Sequence, residues 1–267
     1  MVNFSKELGV TFCQLKADAA VEKFMKEAPV APAWKIVAHS FLRFGMNHYD
    51  ANAFLNMYPL HLLSTEQLHQ MLSMTDAPST FKNVLDVGAG DGSMAESLLK
   101  PKSETIHTTE TATRMIPKIE SRGLKCFQID LAKEDFAASM HNEYDLMMLL
   151  NVIDRTDKPI SLLKRMVGRL SRDGYFVIAS PLPLRPICYD GATARHPSEN
   201  FEFPKNIIKN EFKDEWEDGA SWFISNILPS FGLKPICFSR VPYVSGGDVS
   251  TKLYTHDDIV VICSKKD

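Results

Sequence analysis

The stretch Asn83-Val84-Leu85-Asp86-Val87-Gly88-Ala89-Gly90-Asp91-Gly92 constrains this chain more than any other. A short apolar run ends in an acid, three alternating glycines follow, and "SMAESLLK" then reads as a helix. Glycines at a strand-to-helix turn permit the tight bend and let a ligand reach the backbone, with helix N–H groups at hand. The same rhythm repeats downstream. "TIHTTE" is a short strand ending in Glu110, and "TATRMIPKIESRG" a helix that Pro117 should kink or delay. "KCFQID" is a strand ending in Asp130, "YDLMMLLNVID" a fourth strand, and "KPISLLKRMVGRLSRDG" a helix with Asp157 as N-cap and Gly174 closing the turn. "YFVIASPLPL" is a fifth strand, "SWFISNILPSFG" a helix, and "KPICFSRVPYV" and "DDIVVICSK" two closing strands, antiparallel to each other. Strands alternating with helices argue for an α/β fold with a mostly parallel sheet covered on both faces.

Two segments stand outside this rhythm. Residues 1–80 read as a helical N-terminal extension ahead of a domain spanning 81–267, with a capping box at Ser64 and Gln67. Residues 185–220 are irregular and charged, and read as an insertion. Its acids Glu211, Asp214, Glu215, Glu217 and Asp218 are either a solvated face or a patch that steers cationic peptides.

With 267 residues, 45% hydrophobic, the chain can bury a sizeable core, and its net charge of −3 does not mark a nucleic-acid binder. Five scattered cysteines without a CxxC read as reduced, mostly buried thiols, and no Cys/His cluster has zinc spacing, so no metal is expected. No stretch approaches the roughly 18 apolar residues of a membrane span, and the N-terminus lacks a signal-peptide core, so the chain reads as soluble, cytoplasmic and monomeric.

The glycine spacing separates two nucleotide-binding patterns. A dinucleotide fingerprint needs glycine at 93, where Ser93 stands. GxGxG with an acid two residues before the first glycine resembles motif I of class I methyltransferases, which hold S-adenosylmethionine. Glu110, 22 residues after Gly88, is placed to accept both ribose hydroxyls, and Asp130 to accept from an adenine amino group. Beyond the fourth strand, the apolar run Leu146 to Leu150 gives way to Asn151 and Asp154. Ligands in open parallel sheets lie beyond the carboxyl ends of the strands, so this pair faces the methyl acceptor. Otherwise Asn151 satisfies a loop backbone and Asp154 pairs with Arg155. An amide and a carboxylate suit an imidazole acceptor, because attack by one ring nitrogen leaves positive charge on the other N–H. The residues alone leave imidazole, amine and hydroxyl open.

The stretches "VLDVGAGDG", "TTETATRMI", "YDLMMLLNVIDRTDKPISLLK", "EWED" and "RVPYVSGGD", with "HSF" at His39–Phe41, resemble the DREV family, typified by methyltransferase-like protein 9. The resemblance implies a seven-stranded class I methyltransferase fold. It also implies an enzyme that methylates protein histidine at the pros nitrogen, Nδ1, within His-x-His motifs. On that resemblance Asp86, Gly88, Gly90, Asp91, Glu110, Asp130 and Asn151 would hold S-adenosylmethionine. Asn151, Asp154 and Tyr243, the last following the sixth strand, would hold the substrate histidine. The sequence departs from the family pattern at Ser93, at Ser245-Gly246, and in lacking the hydrophobic N-terminal segment that directs family members to endomembranes. It contains no His-x-His of its own. Two alternatives are a methyltransferase for a small imidazole compound or histidyl dipeptide, and a non-catalytic binding module of the same fold.

Overall fold

A computed structural model describes residues 6–190, 193–204 and 215–266. Five parallel strands form its centre: β2 (Phe81–Val87), β3 (Ser103–Thr109), β4 (Lys125–Phe127), β5 (Tyr144–Leu150) and β6 (Leu170–Pro181). From β2 the chain builds outward through β3 to β4, then crosses back to place β5 on the other side of β2, with β6 beyond it. The order therefore reverses between β2 and β5, and a crevice opens beyond the carboxyl ends of those two strands. β10 (Leu253–Lys265) runs antiparallel to β6 and to β9 (Leu233–Gly246), as the two closing strands were expected to run relative to each other.

The sheet has an eighth strand, the two-residue β1 (Leu60–His61), inside the segment read as helical. Pro59 cannot continue a helix, and β9 extends past the core to offer Val244 and Ser245 as partners. The rest of that segment is helical: α1 (Lys6–Thr11), α2 (Ala19–Glu27), α3 (Ala33–Leu42), α4 (His48–Leu55) and α5 (Thr65–Leu72). Ser64 caps α5 as expected, its Oγ accepting from Gln67 N at 3.0 Å while Gln67 Oε1 accepts from Ser64 N at 3.0 Å.

Both faces of the sheet are covered, which explains why its strands read as unbroken apolar runs. On β10, Ile259, Val261 and Cys263 join one core while Val260 and Ile262 join the other, as the two-residue period requires. The first core is closed by α8 (Pro159–Arg169), through Leu162, Leu163 and Met166, and by α9 (Glu215–Trp222) with the π-helical turn Phe223–Ile227 that continues it. The second is closed by α5 and α6 (Ser93–Leu99), through Leu68, Met71, Leu98 and Leu99.

Several boundaries differ from the sequence reading. β4 stops at Phe127, so Asp130 lies in the following turn. The cap of α8 is Lys158, whereas the Asp157 carboxylate accepts from Arg195 Nη1 at 2.6 Å and Ser198 N at 2.9 Å. α8 ends at Arg169, and Gly174 lies inside β6, where an added Cβ would come within 3.0 Å of Tyr144 O. The helix expected from Ser221 begins earlier, at Glu215, and Tyr243 lies within β9 rather than after it. α7 (Ile116–Ser121) starts with Pro117 in its first turn, the delay expected of it. All five cysteines are free, and only Cys126 is not buried. Of the acids read as a steering patch, Glu211 and Asp214 lie outside the described residues, and Glu217 is paired with Arg240. No helix among the described residues is long and apolar enough to cross a membrane.

Candidate active site

The crevice at the switch point holds a cavity of 710 Å³, within the roughly 300–1,000 Å³ common for small-molecule sites. Its floor is the glycine loop. Gly88, Gly90 and Gly92 all have positive φ, 71°, 59° and 79°, which side chains rarely adopt. Gly88 N and Ala89 N donate to Thr109 O at 2.9 and 3.0 Å, pinning the loop to the end of β3. A Cβ on Gly88 would strike Val152 Cγ2 at 2.6 Å, so Gly88 permits close contact with the turn after β5. A Cβ on Gly90 would meet nothing within 4 Å and would project into open space.

Glu110 follows β3 and organises this loop. Its Oε2 accepts from Gly90 N at 2.9 Å, and its Oε1 from Thr111 N at 2.7 Å and Ala112 N at 2.9 Å. Burial nevertheless raises its pKa. Asp86, buried at the end of β2, is pushed up to about 7 by burial and by the neighbouring Glu110 charge. Two buried carboxylates side by side, with no Lys or Arg charge acting on either among the described residues, form a cradle suited to a cationic ligand. Asp130 lines the same cavity, with its Oδ1 on Ala132 N and its Oδ2 on Lys133 Nζ, both at 3.0 Å. Asp91 also lines it, but its carboxylate turns toward α6. It accepts from Ser93 N and Oγ at 2.9 and 2.6 Å and lies 3.4 Å from Arg122 Nη2.

The second wall stands beyond β5. Asn151 has φ 55°, a conformation asparagine tolerates better than most residues, and its N–H donates to Ala179 O at 3.0 Å. Its buried Nδ2 donates to Asp258 Oδ2 at 2.6 Å, and its Oδ1 is buried without a hydrogen-bond partner among the described residues. Asp154 Oδ2 accepts from Arg155 Nε at 3.1 Å, and Asp154 Oδ1 likewise has no hydrogen-bond partner among the described residues. Arg155 then reaches Tyr243, with Nη2 3.4 Å from the hydroxyl and the guanidinium 5.4 Å from the ring centroid. Asn151, Arg155 and Tyr243 line the cavity, and Asp154 stands one residue behind that lining.

The third wall comes from α4 and the hairpin of β7 (Cys188–Asp190) and β8 (Thr193–Arg195). His48 stacks on Tyr189 with centroids 4.6 Å apart, and His39 meets His48 edge-on at 5.3 Å. Burial pushes His48 down to about 4, with help from the His39, Arg43 and Arg155 charges.

Sequence reasoning brought Asp86, Gly88, Gly90, Glu110, Asp130, Asn151 and Tyr243 to one cavity. It missed Asp258, His48 and Tyr189, and it treated Arg155 only as a partner for Asp154. Asp258 has a local signal, an acid heading the apolar run "IVVIC". Its partner, however, is 107 residues away, beyond reach of any pattern rule.

The switch-point crevice, the glycine loop and the paired buried acids define a class I, S-adenosylmethionine-dependent methyltransferase. The profile of the DREV methyltransferase family matches residues 2–265, and the chain belongs to that family. Solved structures resemble it at lower identity. The N-methyltransferase NodS from Bradyrhizobium japonicum WM9, in complex with S-adenosyl-L-homocysteine, is 14% identical with TM-score 0.46, over 76% of this chain and 87% of that one. The DhpI complex with the same product is 12% identical with TM-score 0.48, over 87% and 97%. A ribosomal protein L11 methylase from Lactobacillus delbrueckii subsp. bulgaricus is 14% identical with TM-score 0.43, over 77% and 82%.

Proposed function

We propose that this protein methylates a histidine imidazole, at the pros nitrogen Nδ1, in proteins carrying His-x-His motifs. The carrying observation is the pair of acceptors beyond β5, with Asn151 on the cavity lining and Asp154 just behind it, whose Oδ1 atoms are both buried without a donor among the described residues. A buried acceptor left unpaired costs about 1–3 kcal/mol, so this pocket favours a ligand that brings an N–H. Neutral imidazole brings one N–H and, on its other nitrogen, the lone pair that attacks. S-adenosylmethionine supplies a methyl group on a cationic sulfur. The Gly88–Gly92 backbone, Asp86, Glu110 and Asp130 would hold it.

The protein's part in the reaction is then orientation and charge placement. Asn151 and Asp154 accept the imidazole N–H, which fixes the tautomer and turns the free lone pair toward the methyl group. Positive charge grows on that N–H as the new bond forms, and the Asp154 carboxylate stabilises it. Tyr243 packs beside the ring and holds Arg155 away from the Asp154 Oδ1. Deprotonating the acceptor beforehand is unnecessary, because imidazole is largely neutral near pH 7.

The test is incubation with labelled S-adenosylmethionine and three acceptors: a His-x-His peptide, the same peptide with both histidines replaced by alanine, and a histidyl dipeptide. Label on the first alone supports the proposal. Label on the dipeptide at a higher kcat/KM than on the peptide points to a small-molecule enzyme. Label on the alanine peptide excludes histidine as the acceptor.

A further inference from the structure

We infer that Asp258 is the positioning residue that sets which face of the Asn151 amide the acceptor meets. The inference rests on the histidine reading above and concerns a residue outside the glycine loop and outside the Asn151–Asp154 turn.

Asp258 lies on β10, opposite Pro181 of β6, and is fully buried. A carboxylate in the interior of a sheet needs partners; among the described residues Asn151 Nδ2 donates to its Oδ2 at 2.6 Å, while its Oδ1 is buried without a hydrogen-bond partner. The two ends of an asparagine amide differ chemically, since one donates and the other accepts. The carboxylate oxygen takes the donor end, so the acceptor end, Oδ1, must face the other way. The Asn151 backbone cannot adjust to offer the other end, because its left-handed φ and its N–H bond to Ala179 O fix the Cα–Cβ direction. Burial raises the Asp258 pKa to about 8, against the lowering effect of the Asn151 bond, with the Asp154 and Asp257 charges raising it and Arg155 lowering it. The ionised carboxylate can only accept, so it takes Nδ2; the neutral acid keeps that bond through its carbonyl oxygen but also carries an O–H able to donate to Oδ1, so the lock is strictest in the ionised form.

The consequence is selectivity for one tautomer. With Oδ1 presented, the pocket takes the imidazole whose N–H faces Asn151 and whose lone pair faces the methyl donor. With the amide turned over, Nδ2 would select the opposite tautomer, whose lone pair faces Asn151 and whose N–H faces the methyl donor, leaving no lone pair to attack. Asp258 does not touch the substrate in this account, and its effect passes wholly through Asn151.

The experiment is a double-mutant cycle on peptide methylation with Asp258→Val, Asn151→Ala and both together, plus Asp258→Asn. Valine suits a buried strand position, and Asp258→Ser replaces it should the valine variant not fold. Asp258→Val is expected to lower kcat at least about tenfold, the value of one lost hydrogen bond. Asp258→Asn, whose carbonyl can still accept, is expected to stay within about threefold of the parent. The double variant is expected to match Asn151→Ala within about twofold. Multiplying losses in the double variant, or an asparagine variant as impaired as valine, overturns the inference. A substrate-free measurement separates its failure from that of the histidine reading. The Asn151 carboxamide protons, followed by NMR, are expected to exchange slowly in the parent and in Asp258→Asn, and at least tenfold faster in Asp258→Val. Equal exchange in all three overturns the lock, whatever the acceptor. A slow-exchanging parent that methylates no histidine leaves the lock standing and removes only its proposed purpose.

Discussion

Asp154 carries the heaviest chemical assignment from a partly buried position, with Oδ2 on Arg155 and Oδ1 without a hydrogen-bond partner among the described residues. Asp154→Asn keeps the shape and removes the charge. It is expected to leave the calorimetric affinity for S-adenosylhomocysteine within about twofold while lowering kcat on the peptide by about 10²-fold or more, the scale of a lost charge-stabilising group. Gly88→Arg is expected to abolish cofactor binding, because even a Cβ there collides with Val152 and the backbone needs φ 71°. Asp86 sets a pH dependence. Its folded-state pKa is raised from 3.8 to about 7, so the stability it contributes is full below pH 3.8 and is lost as pH rises through 7. A bound cation favours the ionised form, so affinity for S-adenosylmethionine should be tighter at pH 8 than at pH 6. Calorimetry should find that difference diminished in Asp86→Asn. The residues legible beforehand, Asp86, the glycines and Glu110, lie next to strand ends, where local pattern dictates position. Asp157 was misread because a local capping rule competed with Arg195, 38 residues on, whose ion pair takes the carboxylate.

The strands and helices were legible where apolar period and length were strong, and lost where either failed. β1 has two residues and no period to detect, and only the overhang of β9 makes it a strand. The end of α8 was placed at Gly174 because glycine commonly closes helices. Here that glycine serves the close approach of β6 to Tyr144 on β5 instead. α8 is amphipathic, with Leu162, Leu163 and Met166 buried against the sheet that carries Asn151. Leu163→Ala removes a fully buried side chain from that seam. It is expected to cost about 2–5 kcal/mol in urea unfolding, with little change in cofactor affinity measured where the variant is folded. The β7–β8 hairpin supplies Tyr189 to the third wall, and its position over α4 follows from stacking on His48, which no sequence window contains.

At the scale of the whole molecule, the alternation of strands and helices from residue 83 onward was enough to anticipate a parallel sheet with its site at the carboxyl ends. The identity of the strands flanking the switch point, β2 and β5, followed from it. The third wall did not follow, because α4 and the hairpin are brought to the crevice by contacts across about 140 residues of chain. Since the cofactor site is formed only in the folded state, saturating S-adenosylhomocysteine should raise the melting temperature, and no shift would favour a non-catalytic module. The central claim is that the Asn151–Asp154 pocket receives an imidazole. It is tested most directly by the crystal structure of a ternary complex with S-adenosylhomocysteine and a His-x-His peptide. The account predicts a ring N–H within hydrogen-bond distance of Asn151 Oδ1 or Asp154 Oδ1, with Nδ1 facing the sulfur. A ring absent from that pocket, or one with Nδ1 held by Asn151 and Nε2 facing the sulfur, would contradict it.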